Sequence, residues 1–282
     1  MSIIYRVKLE KLQTTTDHST SKALLALDDG AKIESVLMKY RDWYSACLSV
    51  MVGCPLDCKF CATGKMGFKR NLAAGEIIGQ VDFWNDLLKK LNSRVSRVVF
   101  MGMGEPFLNW QETSKAIKIL NSPGKFNIAQ NHITVSTAGI IGGIYEFSKF
   151  RTKINLAISL HSPFQQKREE IMPVAKQYPL TELMKACGHY VKENNQKIFF
   201  EYALISNFND TFEDIFEIKK IFGSKFFHLN VIVLNPVESI YRPSNMGRRE
   251  TFIHALKKYK IPFTVRRSMG KDINAACGQL AY

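Results

Sequence analysis

Three cysteines share one short stretch of this 282-residue sequence, Cys54-Pro-Leu-Asp-Cys58-Lys-Phe-Cys61. The Cys-x3-Cys-x2-Cys spacing puts three thiols on a single tight loop. Three thiolates can hold three irons of a 4Fe-4S cluster and leave the fourth iron open to a substrate, which separates a catalytic cluster from an electron-transfer one. The competing chemistry is a zinc site with Cys47 as a fourth thiolate. Zinc sites generally use two Cys-x2-Cys-type pairs, so this spacing fits zinc poorly. A glycine-rich string, Gly102-Met-Gly104-Glu105-Pro106, would let a ligand approach the backbone closely, and Glu105 can accept hydrogen bonds from an ammonium group. Read alone, the same string is also a tight βα turn. Ser136, Ser159, Leu160, His161 and Asn235 stand at predicted strand ends, where the polar ones serve equally well as caps or as ligand contacts. Cys47 and Cys277 are two further thiols of a kind that can act as carbon carrier, hydrogen donor or disulfide partner. A buried, inert side chain is the commonest fate of free cysteine, and it is the reading for Cys187.

The elements that must position these residues follow from hydrophobic period. Residues 1–45 read as a β-meander: the opening residues 1–8 alternate like a strand, and two more alternating runs flank Asp28-Asp29-Gly30, a hairpin turn. From about residue 46 strands and helices alternate. The pattern predicts strands over 46–52, 97–101, 132–136, 155–160, 197–203 and 228–234, and helices over 74–91, 111–121, 140–150, 179–193, 211–222 and 248–258. Short apolar strands of this kind suit a parallel sheet covered on both faces. Six βα steps in succession predict an α/β fold, a partial parallel (β/α)6 barrel over 46–282 with the 1–45 meander as an N-terminal extension. In such a barrel the strand ends that carry Cys54, Glu105, Ser136, Ser159, His161 and Asn235 converge on one face.

Composition narrows the function classes. The chain is 46% hydrophobic and 23% charged, ordinary for a globular domain. No apolar run approaches the roughly 18 residues of a membrane span, and no charged-then-apolar leader is present. A cytoplasmic protein with no membrane association is expected. In that reducing setting six cysteines point to metal or redox chemistry rather than to a disulfide framework. The formal net charge of +14 favours a polyanionic partner, although a lysine-rich surface serving solubility explains it too. Lys69-Arg70, Arg242, Arg248-Arg249 and Arg266-Arg267 are the candidate phosphate contacts, and Trp43, Tyr44 and Phe68 the candidate stacking aromatics.

A set of segments, in one order from about residue 20 to the end, carries a more specific signal: Ile33-Glu34-Ser-Val, Cys47-Leu-Ser-Val-Met-Val-Gly-Cys54, Cys58-Lys-Phe-Cys61-Ala-Thr-Gly, Gly67-Phe-Lys-Arg-Asn-Leu72, Phe100-Met-Gly-Met-Gly-Glu-Pro106, Val135-Ser-Thr-Ala-Gly, Ile158-Ser-Leu-His-Ser-Pro163, Ile171-Met-Pro, Asn209-Asp210 and Ile273-Asn-Ala-Ala-Cys-Gly-Gln-Leu280. Together they resemble the RlmN/Cfr family of radical SAM adenosine methyltransferases of RNA. The resemblance implies that Cys54, Cys58 and Cys61 hold a 4Fe-4S cluster, and that Gly104, Glu105, Ser136, Ser159, Leu160, His161 and Asn235 contact S-adenosylmethionine, of which two molecules are used per turnover. One molecule would methylate Cys277. The second would yield a 5′-deoxyadenosyl radical that takes a hydrogen atom from that methyl group. The resulting carbon radical would add to an adenine, giving a covalent protein–RNA adduct. Cys47 would then attack the Cys277 sulfur, leaving a disulfide to be reduced. Glu34 matches the family's base-contacting or proton-accepting carboxylate; without the resemblance it reads as an exposed strand glutamate.

The implied partners are an RNA substrate, 23S rRNA and also tRNA, and an external electron donor such as flavodoxin or ferredoxin; a monomer is expected. An adenine in structured RNA must leave its stack to be reached. Family members carry a further N-terminal helical region, whereas this sequence enters its meander almost at once and is expected to be a short form. Gly104-Glu-Pro106 and Leu108-Asn109 look like the branch that modifies adenine carbon 2. Phe60-Cys-Ala-Thr-Gly and Leu160-His-Ser-Pro163 look equally like the carbon 8 branch. Carbon 2 is favoured, with carbon 8 as the alternative. Another radical SAM enzyme, such as an activase, and a non-catalytic metal-containing RNA-binding protein are the remaining readings.

Overall fold

The computed structural model describes residues 7–150, 152–223 and 226–282. Of the opening strand expected over 1–8, residues 1–6 lie outside the described residues. Among those described, residues up to 55, 61–136 and 269–282 form one compact unit, and 56–60 with 137–268 form a second.

In the first unit, β1 (Lys8–Thr14), β2 (Thr20–Ala26) and β3 (Lys32–Lys39) make the antiparallel meander, and β3 pairs antiparallel with β4 (Tyr44–Cys47). The β2–β3 turn is the one the sequence announces: Gly30 has φ +80, and the Asp29 carboxylate accepts from the Ala31 amide at 3.0 Å. β5 (Met51–Gly53) leaves the main sheet. Helix α1 (Ala62–Lys65) follows the third cysteine, and β6 (Phe68–Asn71) returns to pair with β5. Then come α2 (Ala74–Leu88), β7 (Val95–Phe100), α3 (Trp110–Asn121) and β8 (Ile133–Thr137). β4, β7 and β8 are parallel neighbours, with Cys47 opposite Val99 and Val98 opposite Ile133. A parallel pair needs a crossover, which α2 supplies. Its apolar stripe of Ile77, Ile78, Val81, Trp84 and Leu88 is buried, and Glu76 in its first turn accepts from the Ala73 amide at 2.8 Å. Its expected last turn over 89–91 tightens to a 3-10 turn that ends on left-handed Asn92.

The second unit contains α4 (Ile141–Ser148), β9 (Asn155–Ser159), α5 (Gln165–Ile171), α6 (Leu180–Asn194), β10 (Ile198–Leu204), α7 (Phe212–Phe222), β11 (Phe227–Val233), α8 (Met246–Lys258) and β12 (Phe263–Arg266). Strands β9 to β12 run in chain order and are all parallel. Leu156, Ala157, Ile158, Phe200, Tyr202, Leu229 and Val231 are buried, as strands covered on both faces require. A Thr211–Asp214 capping box starts α7.

One expected element is broken. The strand expected over 46–52 is two strands, because its continuation turns toward a different neighbour. Gly53 has φ +76, and a Cβ there would stand 1.9 Å from the Gly67 carbonyl oxygen. The Cys54 amide donates to that same oxygen at 2.9 Å. Two backbones therefore touch where the cysteine loop leaves the sheet and where it returns, and only glycine permits it. Gly53→Ala is expected to destabilise the protein by about 1–3 kcal/mol from the left-handed φ alone, with more from the overlap. Gly142→Ala, inside α4 where a Cβ meets nothing within 4 Å, is expected to stabilise by up to about 1 kcal/mol. Urea denaturation of the two variants against the parent checks both signs.

Candidate functional site

The segment between β4 and the cysteine loop is held from three sides by one serine. Ser49 Oγ donates to the Glu34 carbonyl at 2.6 Å and accepts from the Met103 amide at 2.9 Å. Its own backbone is paired both ways with the Gln80 side chain of α2, at 2.9 and 2.8 Å. The glycine-rich string after β7 lies directly against this segment. A Cβ on Gly102 would stand 2.7 Å from Leu48 backbone atoms, and one on Gly104, whose φ is +101, 2.6 Å from Met51. The amides of Val50 and Met51 both donate to the Met103 carbonyl, at 2.8 and 3.1 Å. Close backbone packing thus accounts for both glycines. Glu105 is buried, and one of its carboxylate oxygens accepts from the Phe107 amide at 3.0 Å. Asn109 ties the same turn to the Val50 and Leu72 carbonyls. Ser136, at the end of β8, is half-buried.

The C-terminal segment returns to the cysteine loop. The Ala62 amide donates to the Gly278 carbonyl at 2.7 Å, and Thr63 Oγ1 donates to the Leu280 carbonyl at 2.6 Å. Gly270 packs so closely on Thr20 that a Cβ would stand 2.8 Å from its methyl group. Tyr282 donates its hydroxyl to the Lys32 carbonyl at 2.6 Å. Cys277 is exposed, on a loop whose backbone is held at Gly270 before it and at Gly278 after it. Burial pushes the Cys61 thiol up; hydrogen bonds from the Gly64 and Thr63 backbone pull the other way, and the nearby Cys277 adds to the rise. All six cysteines are thiols rather than disulfides. Cys47 is half-buried on β4, and Cys187 is buried in α6. Among the described residues no three His, Cys, Asp or Glu side chains stand as a ready-made metal cage. The cysteine loop offers a donor set instead: three soft thiols and N–H groups directed at one of them. That fits an iron–sulfur ligand, whose sulfurs take such hydrogen bonds.

Glu34 is 1% exposed, which rules out the exposed strand glutamate. Its Oε1 pairs with buried Lys22 at 2.8 Å, and its Oε2 has no hydrogen-bond partner among the described residues. Sequence reasoning passed over Lys22 because a lysine in a strand normally faces water. The available signal was its place within an otherwise buried run of β2.

In the second unit, β9 ends in Ser159-Leu160-His161. His161 takes a left-handed φ of +52. Its Nδ1 accepts from the Ala203 amide at 3.0 Å, and its ring meets Phe60 edge-on at 4.7 Å. Burial, with Arg168 adding to it, draws the imidazole down to about 3. It is therefore neutral at pH 7, with the proton on Nε2, which makes Nε2 a donor. Asn235 is buried just beyond β11. Cys58 and Phe60 pack against a buried cluster that includes Ala138, Ile171 and Met172.

Residues 48–219 match the Radical SAM superfamily. The sequence is 42% identical over 268 residues to a probable dual-specificity RNA methyltransferase RlmN of Clostridium perfringens (strain SM101 / Type A), spanning 95% of this chain and 76% of that one. It is 43% identical over 270 residues to a protein of the same name from Dictyoglomus turgidum, spanning 95% and 78%. The chain belongs to the RlmN family of radical SAM methyltransferases. A crystal structure of a radical SAM methyltransferase from Sphaerobacter thermophilus matches with a TM-score of 0.95 and 38% identity, over 98% of this chain and 81% of that one. The α/β class expected from the sequence holds. Membership brings with it the S-adenosylmethionine and 4Fe-4S chemistry of the superfamily.

Against the RlmN family frame, several basic candidates turn out to have partners within the chain. Arg70 bridges Asp29 at 2.7 Å and Glu76 at 2.8 Å, Arg248 pairs with buried Asp210 at 2.8 Å, and Arg266 pairs with buried Glu201 at 2.9 Å. Arg242 binds the Ser239 and Tyr241 carbonyls. Lys69 and Arg267 remain exposed. Trp43 stands before β4, at the end of that strand away from Cys47. Tyr40 stacks on it at 3.8 Å and the Arg97 guanidinium lies over it at 4.4 Å. Phe68 is 46% exposed on β6, where the cysteine loop rejoins its hairpin. Among the described residues no helix is long and apolar enough to cross a membrane.

Lys22→Met leaves Glu34 buried without its counter-charge and is expected to cost about 3–5 kcal/mol. Adding Glu34→Gln to it should recover most of the loss, read from urea midpoints. The unfolded chain takes up the proton that folded His161 refuses, so the stability His161 contributes is complete above pH 6.5. It falls by about 1.4 kcal/mol per unit as pH drops toward 3. His161→Gln should flatten that slope in urea titrations across this pH window.

Proposed function

We propose that this chain methylates carbon 2 of an adenosine in RNA, 23S rRNA and also tRNA, with Cys277 as the carbon carrier. The observation that supports this most directly is the anchoring of the Cys277 loop to the residues just after Cys61. An exposed thiol has no structural need to be held beside the cysteine loop. The names of the relatives, dual-specificity RNA methyltransferases, support the substrate class.

Cys54, Cys58 and Cys61 are assigned to the 4Fe-4S cluster. When bound, that cluster supplies the electron that splits S-adenosylmethionine into methionine and a 5′-deoxyadenosyl radical. Gly104, Glu105 and Ser136 in the first unit, and Ser159, Leu160, His161 and Asn235 in the second, are assigned to S-adenosylmethionine. Neutral His161 brings a donor to that set without adding charge. The Cys277 sulfur accepts a methyl group as a nucleophile, and its exposure suits a carrier that must meet a base. Cys47 is assigned to the attack that frees the product, and its half-buried place on β4 suits a thiol used once per cycle. Glu34 is assigned to the base or its proton, with Oε2 as the oxygen available for the task. Electron-poor carbon 2 of adenine is no nucleophile toward a sulfonium methyl group, and a carbon radical carried on sulfur removes that obstacle. Exposed Phe68 and Lys69 suit stacking and phosphate contact next to the cysteine loop. A flavodoxin- or ferredoxin-type donor, a monomeric state and a cytoplasmic setting complete the reading.

Cys277→Ala should abolish RNA methylation while 5′-deoxyadenosine is still formed. Unchanged methylation would overturn the carrier role, and an activase would show no dependence on Cys277. Mass spectrometry of ribosomal and transfer RNA from cells with and without the gene should lose one 2-methyladenosine. Loss of 8-methyladenosine instead would assign the carbon 8 branch. A colourless, zinc-loaded protein after anaerobic reconstitution would favour the non-catalytic reading.

A further inference from the structure

Arg168, on α5, has 0% exposure. Its Nε donates to the Leu160 carbonyl at 3.0 Å, and its Nη2 to the Ala138 and Ser159 carbonyls, both at 3.0 Å. Its Nη1 has no hydrogen-bond partner among the described residues, and no carboxylate there forms an ion pair with it. A guanidinium is always charged in proteins, and an uncompensated buried charge costs several kcal/mol. Carbonyl bonds alone are a poor reason to keep one.

The groups that can become anionic near it are thiols, Cys58 and Cys187. Cys58 is docked onto the same ground as Arg168. It packs against the buried cluster that includes Ala138 and Ile171, and Ala138 supplies one of the carbonyls Arg168 holds. The Lys59 amide, one residue on, donates to the Ile171 carbonyl at 2.9 Å. Arg168 and Ile171 are one turn apart on α5.

We infer that Arg168 is a positioning residue that acts as the fixed internal counter-charge of the iron–sulfur cluster, felt through Cys58, and that it raises the cluster's reduction potential. The inference rests on the cluster assignment made above. A 4Fe-4S core in its oxidised 2+ state with three thiolates carries one net negative charge. Uptake of one electron from the external donor adds another. A fixed cation in a low-dielectric surround stabilises the reduced form more than the oxidised one, and net charge near the cluster is one of the levers that set its potential. The three carbonyl bonds hold the guanidinium in register with the Ser159–His161 turn, so one side chain fixes both a strand end and a charge.

The test is an EPR-monitored potentiometric titration of the anaerobically reconstituted full chain, with iron and sulfide counted first. Arg168→Gln keeps donors but loses charge, and should lower the midpoint potential and leave a several-fold smaller reduced fraction at a fixed solution potential. Arg168→Lys keeps the charge and should stay close to the parent. Cys187→Asp places an anion beside an intact Arg168 and should lower the potential relative to Cys187→Ser. An unchanged potential in Arg168→Gln, or an equal fall in Arg168→Lys, overturns the inference. If Arg168→Gln does not fold, Cys187→Asp against Cys187→Ser decides it, and equality of those two is the overturning result. A parent protein that binds no 4Fe-4S cluster overturns the cluster assignment and this inference with it, which is distinct from a parent cluster that ignores Arg168.

Discussion

The Ser49 hydroxyl is the contact on which the arrangement of the first unit turns. It joins the carbonyl of Glu34 on β3 to the amide of Met103 in the turn after β7, and Gln80 of α2 closes the backbone of the same residue. β3 and the turn after β7, which carry assigned residues, are thus referred to a single buried side chain. A serine has one proton to give and two lone pairs to receive with. Here it donates once and accepts once, so neither backbone group is left buried and unsatisfied. The two glycines of the turn after β7 make this approach possible, since a Cβ at either would meet the segment around Ser49.

Much of this was legible in the sequence. The βα succession, the Asp28-Asp29-Gly30 turn and the buried state of Cys187 follow from period and residue type. The break between β4 and β5 was not legible, because Ala46 to Val52 is evenly apolar and hydrophobicity does not say which neighbour a strand chooses. The signal lay in Gly53 and Gly67, which sit at the two ends of the cysteine loop and touch. Lys22 and Arg168 were illegible for a different reason. Propensity places cations on surfaces, and only tertiary contact reveals one that has been enclosed. The assigned ligands themselves were found through motif resemblance, since a serine at a strand end carries no mark that separates a cap from a contact.

The charge of the chain also reads differently once its partners are known. A formal net charge of +14 suggests a broad basic face, yet Arg70, Arg248 and Arg266 are held by carboxylates of the same chain, and Arg168 is enclosed altogether. The side chains of Arg70, Arg248 and Arg266 are still 30–42% exposed, so salt screens their pairs in part.

The pinned C-terminal loop has a consequence best put as effective concentration. Cys277 and Cys61 are far apart in the sequence, and a thiol on a slack tail would visit the cysteine loop only as one position among many. The bonds from Ala62 and Thr63, with the Gly270 and Tyr282 contacts at either end of the segment, settle that search during folding. In the proposed carrier role, the Cys277 sulfur would meet its neighbours at the local molarity of an intramolecular group.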